Sequence, residues 1–302
     1  MKPADLIELL LLAALWGASF LFMRIAAPVF GPVPLIAVRV AVATACLLPL
    51  LAWRGGLQPL VASPGLMLVV GLLNSALPFI CFAYATLSIT AGFTSILNAT
   101  TPMFGALVGW LWLKDKLSWL RIVGLLVGFS GIVVLVWGKV SFKPGGSGLA
   151  IVACLSATLM YGIAANHTKR YLTGVPALAI ATGTQLSSAL VLAPFAWWWW
   201  PAQAPTTTAW TAAILLGVFC TGIAYVLYFR LIARLGPAKA ISVTFLIPLF
   251  ASLWGVLWLA EPVTTAMFAG GGVVLLGTAL TTGVIGNGWR PWPARPAARS
   301  AD

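Results

Sequence analysis

Apolar residues run in stretches of about 20, broken by a few polar, proline or glycine positions. A helix that spans a bilayer needs about 20 consecutive, mostly apolar residues. Reading between the breaks predicts ten helices, at 5–26, 33–53, 65–86, 91–113, 119–138, 148–168, 176–199, 209–232, 238–259 and 265–286. The connections are short, so neither side has room for a soluble domain. Residues 287–302 interleave proline and tryptophan with arginine and are expected to form a disordered tail. The first apolar segment runs past the length of a signal-peptide core without a cleavage site. The pattern is that of an all-α membrane protein with ten transmembrane helices.

Composition supports this reading. Hydrophobic residues make up 61% of the 302 and charged residues only 7%, against about 25% charged in a soluble domain. The net charge of +12 does not point to nucleic acid, because the basic residues stand singly between apolar runs. Cys46, Cys81, Cys154 and Cys220 lie inside apolar stretches, too far apart for a metal motif. With the N-terminus in the cytoplasm, 13 of the 17 basic residues fall on the inner side and three (Arg24, Lys139, Lys143) on the outer, with Arg39 inside a span. Positive loops stay inside, so both termini are expected to be cytoplasmic and the number of spans even.

The chain also repeats itself at an offset of 146 residues. Thr101-Pro102-Met103-Phe104 and the later Gly109-Trp110-Leu111-Trp112-Leu113-Lys114-Asp115 match Ile247-Pro248-Leu249-Phe250 and Gly255-Val256-Leu257-Trp258-Leu259-Ala260-Glu261. Phe79 and Phe82 match Tyr225 and Tyr228, while Trp16-Gly17 matches Tyr161-Gly162 at an offset of 145. Residues 5–138 and 147–286 thus form two copies of five spans each. An odd number of spans per copy inserts the second copy upside down. Inverted repeats place a binding site at mid-membrane between the halves and let it face each side in turn.

These features resemble the EamA-type members of the drug/metabolite transporter superfamily, over roughly residues 5–285. The resemblance rests on Trp16-Gly17-Ala18-Ser19-Phe20, on Arg39, and on the twice-repeated series of proline, Leu-Trp-Leu, acid and glycines around Pro102–Gly131 and Pro248–Gly277. Where the family usually has Gly-Glu after the fourth span, this chain has Lys114-Asp115 and, in the second copy, Ala260-Glu261. The resemblance implies a ten-helix exporter of metabolites in a bacterial inner membrane. Its aromatic richness is most similar to the YddG-type amino-acid exporters. One family scaffold moves amino acids, purines, sugars and drugs, so the substrate stays open at this point.

Polar residues inside spans are costly and face the bundle interior or a wet cavity. Thr94, Asn98, Thr101 and Gly105 form one stripe of the fourth span, with Pro102 beside it. Asn74, Pro78 and Phe82, with Phe79 adjacent, form a face of the third. Gln185 in the seventh span and Thr244, near Pro248 in the ninth, add polar groups; Trp16 and Ser19 share a face of the first, and Tyr161 opens the matching face of the sixth. Tyr225 and Tyr228 lie a turn apart in the eighth. Each serves either a substrate or helix packing. Arg39 enters the second span from the outer side, and its expected partners are Glu261, a freed backbone carbonyl or a substrate carboxylate, with outward snorkelling as the alternative. Pro78, Pro102 and Pro248 are the expected hinges, placed in the helix pairs three–four and eight–nine that would move.

No acid sits deep in a span; Glu8 is the nearest to one, so facilitated or potential-driven transport is expected. A membrane enzyme would need a metal cluster or catalytic dyad, which a single histidine (His167) and no acid cluster do not supply. No cofactor or metal is expected, and the expected partners are a small-molecule substrate and the bilayer, for a monomer. Export of amphipathic metabolites, foremost aromatic or large neutral amino acids, is the leading reading; other metabolites or drugs, or a lipid flippase, are the alternatives.

Overall fold

The computed structural model describes residues 3–138, 140–143, 145–236, 240 and 242–285. Among these there are no strands. The long helices are α1 (Pro3–Phe30), α2 (Pro32–Trp53), α3 (Pro64–Ala85), α4 (Ala91–Leu113), α5 (Trp119–Val136), α6 (Gly148–Tyr171), α7 (Ala177–Trp198), α8 (Thr207–Leu235), α9 (Val243–Leu259) and α10 (Thr265–Thr282). Among the described residues nine helices are long and apolar enough to cross a membrane, which makes this a multi-pass membrane protein; α9 is shorter, at 17 residues. The expected start of the ninth span (238–241), the tail 287–302 and the basic residues Lys2, Lys139, Lys239, Arg290, Arg295 and Arg299 lie wholly or mostly outside the described residues.

Local chemistry sets the helix ends. Proline opens α2 and α3, where its missing N–H costs nothing. Thr90, Thr206 and Thr264 cap α4, α8 and α10 by accepting from the N–H three residues on, at 3.2–3.3 Å. Three helices outrun their expected ends: α1 extends to Phe30, α6 to Tyr171 and α8 to Leu235. The last three turns of α8 are amphipathic, and their arginines are held. Arg230 pairs with Glu8 at 3.4 Å, and Arg234 pairs with Asp5 at 3.5 Å and also with Glu8. Satisfied charges let the helix continue where isolated ones would have marked its end.

The helices alternate in direction, joined by short links, and pack in related pairs. α1 lies against α9 and α8; α6, five helices later, lies against α4 and α3. α2 packs on α8 as α7 packs on α3, while α2·α7, α4·α9 and α5·α10 each pair a helix with its own counterpart. This is a pseudo-twofold arrangement. Glycine sets the closest crossings: a Cβ on Gly17 would stand 2.8 Å from the Phe250 Cβ, and one on Gly162 2.8 Å from the Phe104 carbonyl carbon. Below, the near end is the end of the bundle where α1 begins, and the far end is the opposite one.

Candidate functional site

The most irregular backbone lies at the middle of two helices. α3 widens into a π segment at Leu72–Ala76 and α8 into another at Val218–Ile223, starting 146 residues apart. A π-bulge inserts one residue into the turn and displaces the hydrogen-bond ladder, which is why it recurs at functional sites. Pro78 follows the first bulge, but Ala224 stands at the corresponding place after the second, so proline is not the common cause. What the bulges share is a buried hydroxyl, Ser75 in one and Thr221 in the other. Thr221 turns back to the Leu216 carbonyl at 3.0 Å, five residues earlier.

Each hydroxyl receives a side chain from the other half. Arg39 Nε of α2 donates to Thr221 Oγ1 at 2.9 Å, and Gln185 Nε2 of α7 donates to Ser75 Oγ at 2.8 Å. Arg39 and Gln185 are themselves 146 residues apart, so the two crossings correspond. Arg39 is 4% exposed and Gln185 fully buried. The guanidinium also lies 3.5 Å over the Phe79 ring centroid and 3.9 Å from Met23 Sδ. Glu261, expected as its partner, is elsewhere: it pairs with Arg24 at 3.3 Å. Snorkelling is overturned too, because the head is enclosed rather than directed outward.

Aromatic rings surround the crossings in matched pairs. Trp16 meets Tyr228 at 5.1 Å and Tyr161 meets Phe82 at 6.0 Å between centroids; Phe20 abuts Phe82 edge-on at 5.7 Å. The Tyr225 hydroxyl bonds with Asn74 and Ser75, and both Tyr225 and Tyr161 lie near Arg39. Ser19 is buried beside the Cys220 thiol. Trp16, Asn74, Tyr161, Tyr225 and Tyr228 are only partly buried and keep some accessible surface. A lateral groove of about 330 Å³ between α3 and α7, lined by Met67, Leu186 and Leu190, is almost wholly apolar and lies apart from this cluster.

The structure therefore brings Trp16, Ser19, Arg39, Asn74, Phe79, Phe82, Tyr161, Gln185, Tyr225 and Tyr228 together. It leaves others aside. Asn98 and Thr101 sit where α4 breaks at Ala99–Thr100, and Thr101 Oγ1 bonds the Asn98 carbonyl at 2.8 Å, the oxygen that Pro102 leaves without an N–H. Thr278 of α10 takes the adjacent Ala99 carbonyl at 3.0 Å. Thr94 bonds its own helix at Thr90. Thr244 lies in the first turn of α9 toward the near end, and Pro248 leaves α9 continuous rather than broken. Sequence reasoning missed Ser75, Thr221 and Met23 as site residues. The 146-residue register would have found the first two, since it maps Ser75 onto Thr221.

Ion pairs lie at both ends of the bundle. At the far end Arg24 holds Glu261 and donates to the Thr86 carbonyl, and Glu261 Oε2 accepts from Ala91 N at 2.9 Å. At the near end Lys169 holds Asp115 at 3.0 Å, beside the pairs of Asp5 and Glu8 with α8. All four described carboxylates are thus engaged away from Arg39.

Comparison with known proteins agrees with this geometry. The EamA-like transporter family model matches residues 6–137 and again 148–283. The chain belongs to the EamA-like transporter family. It is a transporter, not an enzyme, within the drug/metabolite transporter superfamily. It is 22% identical to the uncharacterized transporter YvbV of Bacillus subtilis, over 89% of this chain and 88% of that one. It is 23% identical to a protein of Streptantibioticus cattleyicolor named "Probable terminal-alkyne amino-acid exporter", over 90% of this chain and 91% of that one. A solved crystal structure 18% identical in sequence superposes with a TM-score of 0.64, covering 94% of this chain and 98% of the other, and shares the fold.

Proposed function

We propose that this family member exports amino acids with aromatic or large neutral side chains by alternating access. One observation carries the reading: Arg39 is a buried cation with no carboxylate in ion-pair range among the described residues. A buried charge without a counter-ion is expensive, so it needs a reason. The crossing between halves is not that reason, because Gln185 makes the corresponding crossing with a neutral amide. The charge is therefore surplus to packing and suits a substrate carboxylate. The aromatic pairs beside it suit an apolar or aromatic side chain. The Streptantibioticus cattleyicolor relative, whose printed name is an amino-acid exporter, supports the same class.

In this reading ten helices span a bacterial inner membrane as two inverted five-helix repeats with both termini cytoplasmic, so the near end is the cytoplasmic one. Arg24–Glu261 and Lys169–Asp115 act as outer and inner gates that open in turn. Pro78 and Pro102, in α3 and α4, and Pro248 in α9 serve as hinges of the moving pairs α3–α4 and α8–α9. Transport is facilitated or driven by membrane potential, and one chain holds the whole site, so a monomer suffices.

The test is efflux of labelled phenylalanine, threonine, uracil and glucose from proteoliposomes. Saturable efflux of phenylalanine is expected, reduced at least about tenfold in kcat/KM by Arg39→Gln. Efflux of uracil or glucose with phenylalanine untouched would replace the amino-acid reading by another metabolite class. Collapse of phenylalanine efflux by a protonophore at zero membrane potential would show proton coupling instead of the facilitated mode.

A further inference from the structure

The two crossings correspond in place but not in chemistry. At one pole Arg39 offers five N–H donors and no acceptor; Nε is spent on Thr221, and the other groups face Met23 and Phe79. At the other, Gln185 spends Nε2 on Ser75. Its Oε1 is buried and has no hydrogen-bond partner among the described residues. A buried amide oxygen without a donor is destabilising. Native cores leave few such groups, and a substrate-shaped vacancy in the hydrogen bonding is one reason to keep one. Asn74 and the Tyr225 hydroxyl, which bond each other at this pole, add further acceptor oxygens. Tyr225 bonds Ser75 and lies near Arg39, so the two poles adjoin.

We infer that the Gln185–Asn74–Tyr225 pole binds the substrate α-ammonium group while Arg39 binds the carboxylate, so that the zwitterionic head lies across the pseudo-twofold axis in one orientation. This rests on the amino-acid reading and deepens it. Amide and hydroxyl oxygens hold an ammonium by hydrogen bonds alone, so the substrate is released without breaking a buried ion pair at that pole. The repeat has thus diverged at one register position, 39 against 185, to make a two-ended site from a twofold scaffold.

Ligand pairs that lack one charged group test it, with intrinsic tryptophan fluorescence of the purified full chain as the binding readout. The ligands are L-phenylalanine, 3-phenylpropionate (no ammonium) and 2-phenylethylamine (no carboxylate). Wild-type protein is expected to bind phenylalanine at least about tenfold more tightly than either analogue. In Gln185→Met the preference over 3-phenylpropionate disappears while that over 2-phenylethylamine remains. Gln185→Glu raises 2-phenylethylamine affinity several-fold, a gain that a misfolded variant does not mimic. Two results separate the failures. If wild-type protein binds none of the three, the amino-acid reading falls and this inference with it. If it binds phenylalanine selectively but Gln185→Met keeps the full preference over 3-phenylpropionate, or Gln185→Glu gains nothing, the orientation alone is overturned.

Discussion

Glu261 occupies at the far end the backbone arrangement that Asp115 occupies at the near end. Each directly follows a residue in the left-handed conformation, Ala260 at φ 51° and Lys114 at φ 58°. Each donates its own N–H to a glycine carbonyl six residues earlier, Gly255 at 3.1 Å and Gly109 at 3.2 Å. Each carboxylate folds back over that same glycine and meets a base from the first helix of the other half, Arg24 of α1 or Lys169 of α6. The glycine-acid pair usual in the family thus has a physical reading: the left-handed cap favours glycine, and the acid forms the end-pair. This chain keeps the geometry with Ala260 and Lys114, residues that carry a Cβ.

That substitution should be measurable. A non-glycine residue in the left-handed region costs about 1–2 kcal/mol, part of which glycine returns as unfolded-state entropy. Ala260→Gly is therefore expected to raise the thermal midpoint in detergent by a few degrees, corresponding to about 0.5–1 kcal/mol. A fall in midpoint would show that the Cβ makes a contact worth more than the strain.

Glu261 should respond to pH. Burial raises its pKa above the ordinary carboxylate value, with the N–H groups of Ala91 and Gly92 and the Arg24 charge working in the opposite sense. Acidification therefore neutralises Glu261 at a higher pH than an exposed glutamate. Between the ordinary value and the raised one the folded protein holds a proton that the unfolded chain lacks, so this group's contribution to stability grows as pH falls through the window. The Arg24 pair is lost over that same window. In a chain with Cys46, Cys81, Cys154 and Cys220 replaced by alanine, labelling of Leu87→Cys at the far end, taken relative to a free thiol at each pH, should rise with acidification and be high at every pH once Glu261→Gln is added. Labelling independent of pH in both backgrounds would remove Glu261 from the gate.

The unequal crossings predict unequal costs. Thr221→Val leaves a charged donor, Arg39 Nε, without its acceptor, whereas Ser75→Ala leaves two neutral groups, the Gln185 amide N–H and the Tyr225 hydroxyl, of which Tyr225 keeps Asn74. Hydrogen bonds to charged groups contribute about 1.5–3 kcal/mol and neutral ones about 0.5–1.5. Thermal unfolding should accordingly fall further for Thr221→Val than for Ser75→Ala. Equal shifts would mean that Met23 and Phe79 already satisfy the guanidinium.

Gly17→Val should abolish folded protein. Its Cβ would stand 2.9 Å from the Ala251 backbone N as well as against Phe250, and backbone cannot give way as a side chain can. Loss of the monodisperse peak on size exclusion is expected, with Gly162→Val failing in the same manner. Normal behaviour of either variant would show that the α1·α9 or α6·α4 crossing can open without cost.

Much of this architecture was legible in the chain. The spans follow from apolar run length, because a bilayer demands about 20 residues whatever the fold. The 146-residue register followed from Pro102 and Pro248 and the Leu-Trp-Leu series, and with it the pairing of Phe79 and Phe82 with Tyr225 and Tyr228. The membrane class followed from composition alone.

Only the tertiary structure decided which residues meet. Arg39 reads in sequence as a residue in search of an acid, and Glu261 was an expected partner; in space Arg24 takes Glu261 and Arg39 takes a hydroxyl from a π-bulge 182 residues away. The bulges have no composition signal, since Leu72–Ala76 and Val218–Ile223 read as ordinary helix. Run length and register are properties of neighbours along the chain, which sequence records directly. Hydrogen-bond partners across two halves depend on how helices cross, and that is set by the summed fit of glycines, aromatic rings and bulges, no one of which carries the answer.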